Sequence, residues 1–278
     1  MSLLLHYLKV VITICRSKYS YSKLSLFLDY TRLTMESIRF HKFRSSSSQS
    51  TAAHTATVAG YTFGFFSYAQ ALALVEEIFI AQQYRFSGNE DMSHILDCGS
   101  NIGLSVLYFR LLYPGVPIVA FEPHAATFDV LQRNIQRNKI AGVTLHNIAL
   151  GEKDAVVSLY TNDGGAFLNM SLLRAPGQEE IGACVQSRRL SSYITGKGAY
   201  VKIDTEGAEY AIINELIQSQ VIQHVRQIII ECHPVEGEGP DGLIDRLVQQ
   251  QFSCKHMRHP LYVNAPDTMV LAKSEQDL

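Results

Sequence analysis

Residues 95–103 read Ile95-Leu96-Asp97-Cys98-Gly99-Ser100-Asn101-Ile102-Gly103, and this stretch decides the fold. Its apolar start predicts a strand, and the apolar residues that follow Gly103 predict a helix. Between them lies a turn of small residues, where glycine lets the backbone approach a ligand closely because it has no Cβ. The stretch therefore predicts a strand–turn–helix unit that binds a ligand at its turn.

A second acidic residue follows the next predicted strand. Residues 118–121 are apolar and lead into Glu122 and Pro123, 25 residues after Asp97, which is about the length of one strand–helix–strand unit. A carboxylate at that position can accept hydrogen bonds from both hydroxyls of a ribose. Two acidic strand ends beside a glycine-containing turn therefore indicate a cofactor that contains adenosine.

The spacing within the turn favours S-adenosylmethionine over a dinucleotide. Dinucleotide-binding turns carry the pattern G-x-G-x-x-G, whereas this turn places Gly99, Asn101 and Gly103 after Asp97. S-adenosylmethionine carries a cationic sulfonium and no pyrophosphate. A carboxylate beside the turn attracts that cation and would repel pyrophosphate. The missing pattern also disfavours an NAD-linked oxidoreductase.

The composition of the 278 residues sets broad limits. Hydrophobic residues make up 47% of the chain, enough to bury the core of one large domain with an extension. The net charge of −2 argues against a dedicated nucleic-acid binder. Residues 1–44 carry eight lysines and arginines but two acids, so the rest of the chain is acidic. This basic arm could contact an anionic membrane, an acidic acceptor or the acidic remainder of the chain; an ordinary solvated helical face is the simpler interpretation.

The cysteines and the apolar first residues of the chain give information about its cellular compartment. The five cysteines are odd in number and form no C-x-x-C pair, which predicts a reducing, cytoplasmic compartment without structural disulfides. Residues 2–15 are apolar but too short to span a bilayer, and they lack the basic leader and cleavage site of a signal peptide. They predict a packed or surface-lying helix and no integral membrane segment.

A serine-rich run over residues 45–50 predicts a mobile linker. We therefore predict two parts. Residues 1–50 form a helical N-terminal extension with its linker, and residues 51–278 form the ligand-binding domain. In the extension, residues 22–43 have helical spacing and place Leu24, Phe27 and Leu28 on one face.

Tyrosines recur along the extension at spacings that suit a helix. Aromatic residues in such positions more often form core or dimer contacts than a ligand site, so a homodimer through the N-terminal helices is a further expectation. These tyrosines are Tyr7, Tyr19, Tyr21 and Tyr30.

Strands and helices alternate from residue 95 onward, which predicts a parallel sheet with helices on both faces. Short alternating runs over residues 155–194 predict an antiparallel insertion, and two final strands predict a mixed sheet edge. Ligands bind at the carboxyl ends of strands in such sheets. Four polar residues are predicted to lie at these ends and to line one cleft: Asp97, Glu122, Asp204 and His233.

Four short runs, taken in order, resemble the FkbM family of S-adenosylmethionine-dependent methyltransferases. They are residues 97–103, residues 121–123, Asn147-Ile148-Ala149-Leu150-Gly151 and Lys202-Ile203-Asp204-Thr205-Glu206-Gly207-Ala208-Glu209. The resemblance covers about residues 60–272. It implies a Rossmann-like class I methyltransferase fold (α/β) with a mostly parallel seven-stranded sheet and an antiparallel C-terminal hairpin. It also implies O-methylation of a sugar-like or secondary-metabolite hydroxyl (EC 2.1.1.-).

The resemblance further implies roles for residues of the cofactor site. The methionine end of S-adenosylmethionine would contact Asp97, Gly99, Asn101 and Gly103. The ribose would contact Glu122, and the adenine would lie near Asn147 or Ala149. The predicted cofactor site also includes Ser100, Pro123 and Asp204.

The acceptor is predicted to be a small molecule whose hydroxyl must lose a proton. A positioned base accelerates such a step by about 10²–10⁴-fold, and the candidates are His233, Asp204 and Glu206. His233 titrates near neutrality when unperturbed; the alternative is that it is a polar strand-end residue before Pro234.

Several carboxylates near the same strand ends raise the question of a metal. Asp204, Glu206, Glu209 and Glu231 could bind Mg²⁺, or Glu206 and Glu209 could instead favour the positive end of the next helix. A divalent metal is possible and not expected. The competing function is a catalytically silent binding module that uses the basic arm for a partner, which the intact Asp97, Gly99, Gly103 and Glu122 disfavour.

Overall fold

Two helices and a strand hairpin form the N-terminal part of the computed structural model. In chain order its elements are α1 (Leu3–Arg16), α2 (Lys23–Phe43), β1 (His54–Val58), β2 (Tyr61–Phe65), α3 (Tyr68–Leu74) and a π-helical turn (Val75–Ile80). The structure describes residues 3–43, 54–88, 91–161, 170–171, 179–257, 261 and 268–275. The predicted serine-rich linker lies outside these residues, so the domain boundary at residue 50 stays a prediction.

Strands and helices then alternate as the sequence predicts. The first half comprises β3 (His94–Cys98), α4 (Leu104–Leu112), β4 (Ile118–Phe121), α5 (Ala125–Arg137) and β5 (Val143–His146). An insertion follows, with β6 (Ala149–Leu150), β7 (Ala155–Thr161), β8 (Met170–Ser171) and β9 (Glu179–Arg188). The second half comprises β10 (Ala199–Ile203), α6 (Glu209–Gln218), β11 (Val225–Cys232), α7 (Pro240–Gln249), β12 (Phe252–Met257) and β13 (Thr268–Ser274).

The central sheet has seven strands in the order β12-β13-β11-β10-β3-β4-β5. Strands β11, β10, β3, β4 and β5 are parallel, whereas β13 is antiparallel to both β11 and β12. This arrangement confirms the predicted Rossmann-like sheet with an antiparallel C-terminal hairpin. The insertion forms a separate four-stranded sheet, in which β7 pairs antiparallel with β8 and β9.

Each face of the central sheet packs against its own hydrophobic core. Successive strand residues point to opposite faces, so Ile95 joins the core formed with α4 and α5, while Leu96 joins the core formed with α6 and α7. Both residues are fully buried. The result is a three-layer arrangement that leaves the carboxyl ends of the parallel strands at one open edge.

The N-terminal helix pair, α1 and α2, packs on the first of these cores. Val10 of α1 and Leu26 and Leu33 of α2 are buried in the same cluster as α4. Of the predicted apolar face of α2, Phe27 packs against this core, whereas Leu24 and Leu28 are 67% and 56% exposed. Tertiary packing selected the stripe opposite these two leucines. No helix among the described residues is long and apolar enough to cross a membrane.

A buried asparagine ties the β1–β2 hairpin to the predicted ligand-binding turn. Asn134 of α5 accepts a hydrogen bond from the N–H of Gly64 (2.6 Å) and donates to the carbonyl oxygens of Gly64 (3.1 Å) and Ile102 (2.8 Å). Its side chain is fully buried. An unpartnered buried polar group costs about 1–3 kcal/mol, so this residue fixes the position of the turn.

We expect Asn134→Ala to lower the free energy of unfolding by about 2–3 kcal/mol, because it leaves the polar groups of Gly64 and Ile102 unsatisfied. Urea denaturation of the full chain measures this change. The matched control is Gln132→Ala on the exposed side of the same helix, which should change stability by less than about 0.5 kcal/mol. Equal stabilities of the two variants would contradict the role assigned to Asn134.

Candidate active site

A cleft of about 660 Å³, counted with its mouth open to solvent, lies at the carboxyl ends of β3, β4 and β10. Its size falls in the range of small-molecule sites, and its place is where open α/β sheets bind ligands. Seven predicted site residues line it, namely Gly99, Asn101, Glu122, Pro123, Ala149, Asp204 and Glu206. The structure thus brings together residues from all four of the runs singled out in the sequence.

The ends of β3 and β10 touch directly at Gly99. Its φ is +80°, and a Cβ built there would lie 1.7 Å from the carbonyl oxygen of Asp204. The N–H of Asp204 in turn donates to the carbonyl oxygen of Cys98 at 3.1 Å. Only glycine satisfies both the left-handed backbone and the close approach, so this residue holds the two strand ends together.

Two other cleft residues adopt left-handed backbone conformations although they are not glycines. Asn101 has a φ of +48° and Glu206 has a φ of +56°. Such conformations are costly for residues with a Cβ, and they concentrate at functional sites. Both residues line the cleft.

Glu122 is held from two sides before any ligand is present. Its Oε2 accepts a hydrogen bond from the N–H of Asn101 (3.0 Å), and its Oε1 accepts one from the N–H of His124 (2.9 Å). Each carboxylate oxygen has a second lone pair, so both oxygens retain capacity for ligand hydroxyls. Burial raises the pKa of Glu122 to about 7, although the two backbone hydrogen bonds oppose the rise.

Asp97 lies behind the turn and does not line the cleft. Its carboxylate is fully buried. Oδ2 accepts a hydrogen bond from the hydroxyl of Ser105 (2.6 Å), and Oδ1 lies 3.4 Å from the ammonium nitrogen of Lys202. These contacts place the carboxylate of Asp97 inside the protein, and its direct contact with a cofactor stays a prediction.

Three more predicted cofactor residues also lie off the cleft and shape its turns. The hydroxyl of Ser100 donates to the carbonyl oxygen of Asp97 at 2.8 Å. The N–H of Gly103 donates to the carbonyl oxygen of Ser100 at 2.8 Å, and Gly103 is the residue that precedes α4. The side-chain amide of Asn147 donates to the carbonyl oxygens of Glu122 (2.9 Å) and Pro123 (3.0 Å). Each of these residues fixes backbone that carries a cleft residue.

A buried lysine connects the two strand ends. Lys202 is 1% exposed, and its Nζ donates to the carbonyl oxygen of Gly99 (2.7 Å) and lies 3.2 Å from Oδ2 of Asp204. Burial opposes the charge of this ammonium group, but Asp204 and Asp97 outweigh the effect and raise its pKa. Lys202 is therefore the cation that neutralises the acidic ends of β3 and β10.

Tyr84 completes this network from outside the central sheet. Its hydroxyl lies 2.9 Å from Oδ2 of Asp204 and 3.0 Å from Oε2 of Glu231. Its ring lies under the ammonium group of Lys202, 4.9 Å from the ring centre. Burial, together with the charges of Asp204 and Glu77, raises the pKa of Glu231 to about 8. The tyrosine therefore joins the ionised Asp204 to a carboxyl group that holds its proton more readily than an ordinary glutamate.

His233 lies among three carboxylates at the end of β11. Its Nδ1 is 3.0 Å from Oε1 of Glu209, and its Nε2 is 3.5 Å from Oε2 of Glu206 and 4.0 Å from Oδ1 of Asp204. Burial opposes the charge of the imidazolium, yet these carboxylates outweigh it and raise the pKa of His233 to about 10. At neutral pH the residue is therefore a cation.

The three carboxyl groups around His233 differ in their surroundings. Burial raises the pKa of Glu206 to about 8 despite the charge of His233. Burial also acts on Asp204, but Lys202 and His233 hold the pKa of that group below its ordinary value. Glu209 is fully buried and accepts hydrogen bonds from the N–H groups of Thr205 and Gly207, so it anchors His233 within the protein.

Three of these side chains are also close enough to share a metal ion. Asp204, Glu206 and His233 each offer one ligand atom, and these atoms lie within 4.8 Å of one another. Carboxylates and imidazole suit a divalent cation. Of the four carboxylates considered from the sequence, Glu209 is engaged elsewhere and Glu231 faces Tyr84. That methyl transfer proceeds without a metal stays a prediction.

Sequence reasoning missed part of the site. Six further residues line the cleft, namely Phe121, Thr127, Ile148, Leu150, Leu159 and Thr205. Lys202 is the first residue of one of the runs that carry the family resemblance, but the sequence alone assigns it no role. Tyr84 comes from an irregular segment after the π-helical turn, and no motif there marks it.

We expect Lys202→Met to lower the free energy of unfolding by about 3–5 kcal/mol, because it leaves the buried carboxylates of Asp97 and Asp204 without their cation. Chemical denaturation monitored by circular dichroism measures the change. The control is Lys197→Met, an exposed lysine just before β10, for which the change should stay within about 0.5 kcal/mol. If the two variants unfold at the same denaturant concentration, the ion network does not stabilise the fold.

Comparison with known proteins gives independent information about the chain. A family model described as the methyltransferase FkbM domain matches residues 97–259. "Methyltransferase 1" of Beauveria bassiana (strain ARSEF 2860) is 43% identical over 84 residues, which cover 30% of this chain and 34% of that protein. "31-O-demethyl-FK506 methyltransferase FkbM" of Streptomyces tacrolimicus is 29% identical over 212 residues, covering 64% of this chain and 80% of that protein.

A solved structure with the same family name is also similar. It is methyltransferase FkbM from Methylobacillus flagellatus KT, with 15% sequence identity, a TM-score of 0.48, and coverage of 97% of this chain and 59% of that one. This chain thus spans a little over half of that structure and about a third of the Beauveria relative. The matched family domain covers more than half of the chain and contains the cleft, so the chain belongs to the FkbM methyltransferase family.

Proposed function

We propose that the chain uses S-adenosylmethionine to methylate a hydroxyl of a small sugar-like or secondary-metabolite acceptor. The observation that carries the proposal is Glu122, a carboxylate fixed by two backbone N–H groups beside the glycine turn of the cleft. The Streptomyces relative, whose name describes an O-demethyl substrate, supports an oxygen acceptor. The cytoplasmic location, the homodimer and the absence of a nucleic-acid partner stay predictions.

The residues of the cleft fit the parts of this cofactor. Glu122 presents one lone pair on each oxygen to the ribose hydroxyls, and Gly99 and Asn101 form the turn beside it. Ile148 and Leu150 give the far side an apolar surface that suits adenine. Asp97 would act indirectly, through Ser105 and Lys202, by holding the turn in place.

The cationic end of the cofactor would lie near the acidic strand ends. Asp204 keeps its negative charge because Lys202 and His233 hold its pKa low, and it lines the cleft. When bound, S-adenosylmethionine supplies the methyl group on a sulfonium and keeps the electron pair of the broken carbon–sulfur bond. The negative charge of Asp204 would attract this sulfonium. Orientation of the acceptor oxygen behind the methyl carbon would supply roughly 7–11 kcal/mol of the acceleration.

Glu206 is the residue we assign to remove the hydroxyl proton. It lines the cleft, and its raised pKa of about 8 makes its ionised form, whose share grows as the pH rises toward 8, a stronger base than an ordinary carboxylate. His233, with a pKa of about 10, already carries a proton at neutral pH and so serves better to stabilise the ionised form of Glu206. Of the three candidates named from the sequence, Asp204 is then the charge partner, Glu206 the base and His233 the positioning cation.

Isothermal titration of the folded chain with S-adenosylhomocysteine tests the cofactor assignment. We expect saturable binding at one site. A folded sample that releases no heat, and that shows no thermal stabilisation by the same compound, would remove the basis of the proposal. It would favour the alternative of a catalytically silent binding module.

Glu122→Gln should weaken S-adenosylhomocysteine binding by about 1.5–3 kcal/mol, roughly ten- to a hundredfold in Kd, because it removes charge-assisted hydrogen bonds to the ribose. The pH dependence gives a second readout. Glu122 has a pKa of about 7, so wild-type affinity should tighten as pH rises from below to above that value, while the variant should stay flat. Glu152→Gln, at an exposed acid, is the control and should match the wild type at every pH.

Glu206 should lose its proton near pH 8, since burial raises its pKa to about that value. Infrared difference spectroscopy should show a protonated carboxyl band that fades through this range in the wild type. In Glu206→Gln the fading should be smaller, because only Glu231, whose pKa is also about 8, still loses its proton there. With radiolabelled S-adenosylmethionine and a panel of glycosides as acceptors, the variant should transfer methyl groups about 10²–10⁴-fold more slowly. Its affinity for S-adenosylhomocysteine should stay within a few-fold. A variant with the full transfer rate would show that Glu206 is not the base.

A further inference from the structure

The N-terminal helix pair exposes an unusual amount of apolar surface. Among the described residues, eleven large hydrophobic side chains are exposed, and nine of them lie on α1 and α2. On α1 these are Leu3, Leu4, Leu5, Leu8 and Ile12. On α2 they are Leu24, Leu28, Met35 and Ile38. Scattered exposed apolar residues are ordinary on a protein surface, whereas a concentration on one element marks an interaction site.

Four of the exposed residues, Leu4, Leu5, Leu8 and Ile12, form a second apolar face on α1, away from the one that packs on the core. Val10 and Ile14 are buried, and at 100° per residue Leu8 and Ile12 point away from them. A helix that covers a globular core has one apolar stripe and a polar outer side. Helix α1 departs from this pattern because its outer side is apolar as well.

Helix α2 repeats the arrangement. Its buried stripe includes Leu26, Tyr30 and Leu33, while Leu24 and Leu28 lie on the opposite side. The two helices contact each other, since the ring of Tyr7 stacks on that of Tyr30 at 6.0 Å and its hydroxyl lies 2.9 Å from that of Thr31. Their apolar outer sides therefore belong to neighbouring elements.

The charges beside these apolar stripes are positive. Every exposed charged residue over positions 3–40 is basic, namely Arg16, Lys18, Lys23, Arg32 and Arg39. The two acids of this stretch are partly buried, and the carboxylate of Asp29 accepts a hydrogen bond from the N–H of Ala59 in the β1–β2 hairpin. The outer surface of the helix pair thus combines apolar side chains with an excess of positive charge, and its two acids, Asp29 and Glu36, line a groove with Arg32.

We propose that the N-terminal helix pair lays this outer surface on an anionic lipid bilayer. Helices with apolar side chains and flanking lysines and arginines bind in the plane of a membrane surface, and each basic residue near anionic lipid adds to the attraction. Neither helix is able to cross a membrane, so both would lie on it. A second copy of the chain is the less suitable occupant, because two identical basic surfaces would repel each other.

One contact of α1 reaches the edge of the central sheet at which the parallel strands end. The ammonium group of Lys9 donates a hydrogen bond to the carbonyl oxygen of Leu261, which lies between β12 and β13. That connection is at the same edge of the sheet as the carboxyl end of β11, because Cys232 pairs with Thr268. The membrane proposal itself rests on the helix pair alone and does not require the proposed methyl transfer.

Flotation of the full chain with lipid vesicles tests the proposal. We expect the protein to float with phosphatidylcholine vesicles that contain phosphatidylserine and to stay at the bottom with phosphatidylcholine alone. Raising the ionic strength from about 0.1 M to about 1 M shortens the Debye length from about 10 Å to about 3 Å and should release much of the bound protein. No binding to the anionic vesicles, or equal binding to both kinds, overturns the proposal.

Two double variants separate the contributions of charge and apolar surface. Arg32→Gln with Arg39→Gln should weaken binding to the anionic vesicles roughly twenty-fivefold, about fivefold for each positive charge near the lipid. Leu8→Ser with Ile12→Ser should also abolish most of the binding, because the apolar face enters the headgroup region. All four positions are exposed, and unchanged thermal unfolding would confirm that the fold is intact.

The matched controls lie on other parts of the surface. Lys197→Gln with Lys273→Gln removes two exposed positive charges, and Val248→Ser removes a side chain that is 53% exposed. Both controls should bind vesicles like the wild type. Light scattering after size-exclusion chromatography tests whether a second copy of the chain occupies the surface instead. A wild-type dimer that Leu8→Ser with Ile12→Ser converts to a monomer would assign the surface to a second copy and overturn the proposal.

Discussion

The ion pair network around Lys202 is the constraint on which the rest of the site depends. One buried ammonium group lies between the carboxylates of Asp97 and Asp204 and also binds the carbonyl oxygen of Gly99. These groups belong to two neighbouring parallel strands, so their carboxyl ends cannot separate without leaving buried charges unpaired. The close contact between Gly99 and Asp204 depends on the same alignment. The position of the turn that lines the cleft therefore depends on these ion pairs as well as on packing.

The carboxyl groups around the cleft are alike in chemistry but different in state. Burial leaves Glu122 near the midpoint of its titration at neutral pH and keeps most of Glu206 protonated, while two cations keep Asp204 ionised. Groups whose surroundings separate their pKa values in this way can take different roles in one reaction. The structure thus offers a hydrogen-bonding carboxylate, a fixed negative charge and a proton acceptor within one cleft.

Much of this arrangement could be predicted from the sequence, and the limits have physical causes. The strand ends were identified because apolar runs end in acids and glycine, a pattern that depends on local sequence alone. The burial of Asp97 was not predicted, since it depends on Lys202, a partner about a hundred residues away. Tyr84 was missed for the same kind of reason, because the π-helical turn and not a motif brings it to the site. The apolar face of Leu24 was recognised, but which face of α2 is buried follows from tertiary packing.

The burial of Glu122 between two backbone N–H groups has a consequence for the energetics of ligand capture. Burial raises its pKa to about 7, so that part of the protein holds a proton there at neutral pH, whereas hydroxyl donors favour the ionised form. Capture of a ribose would therefore expel a fraction of a proton into the medium. The heat of association would then include the ionisation enthalpy of the buffer, so that the same ligand gives different apparent enthalpies in phosphate and in Tris.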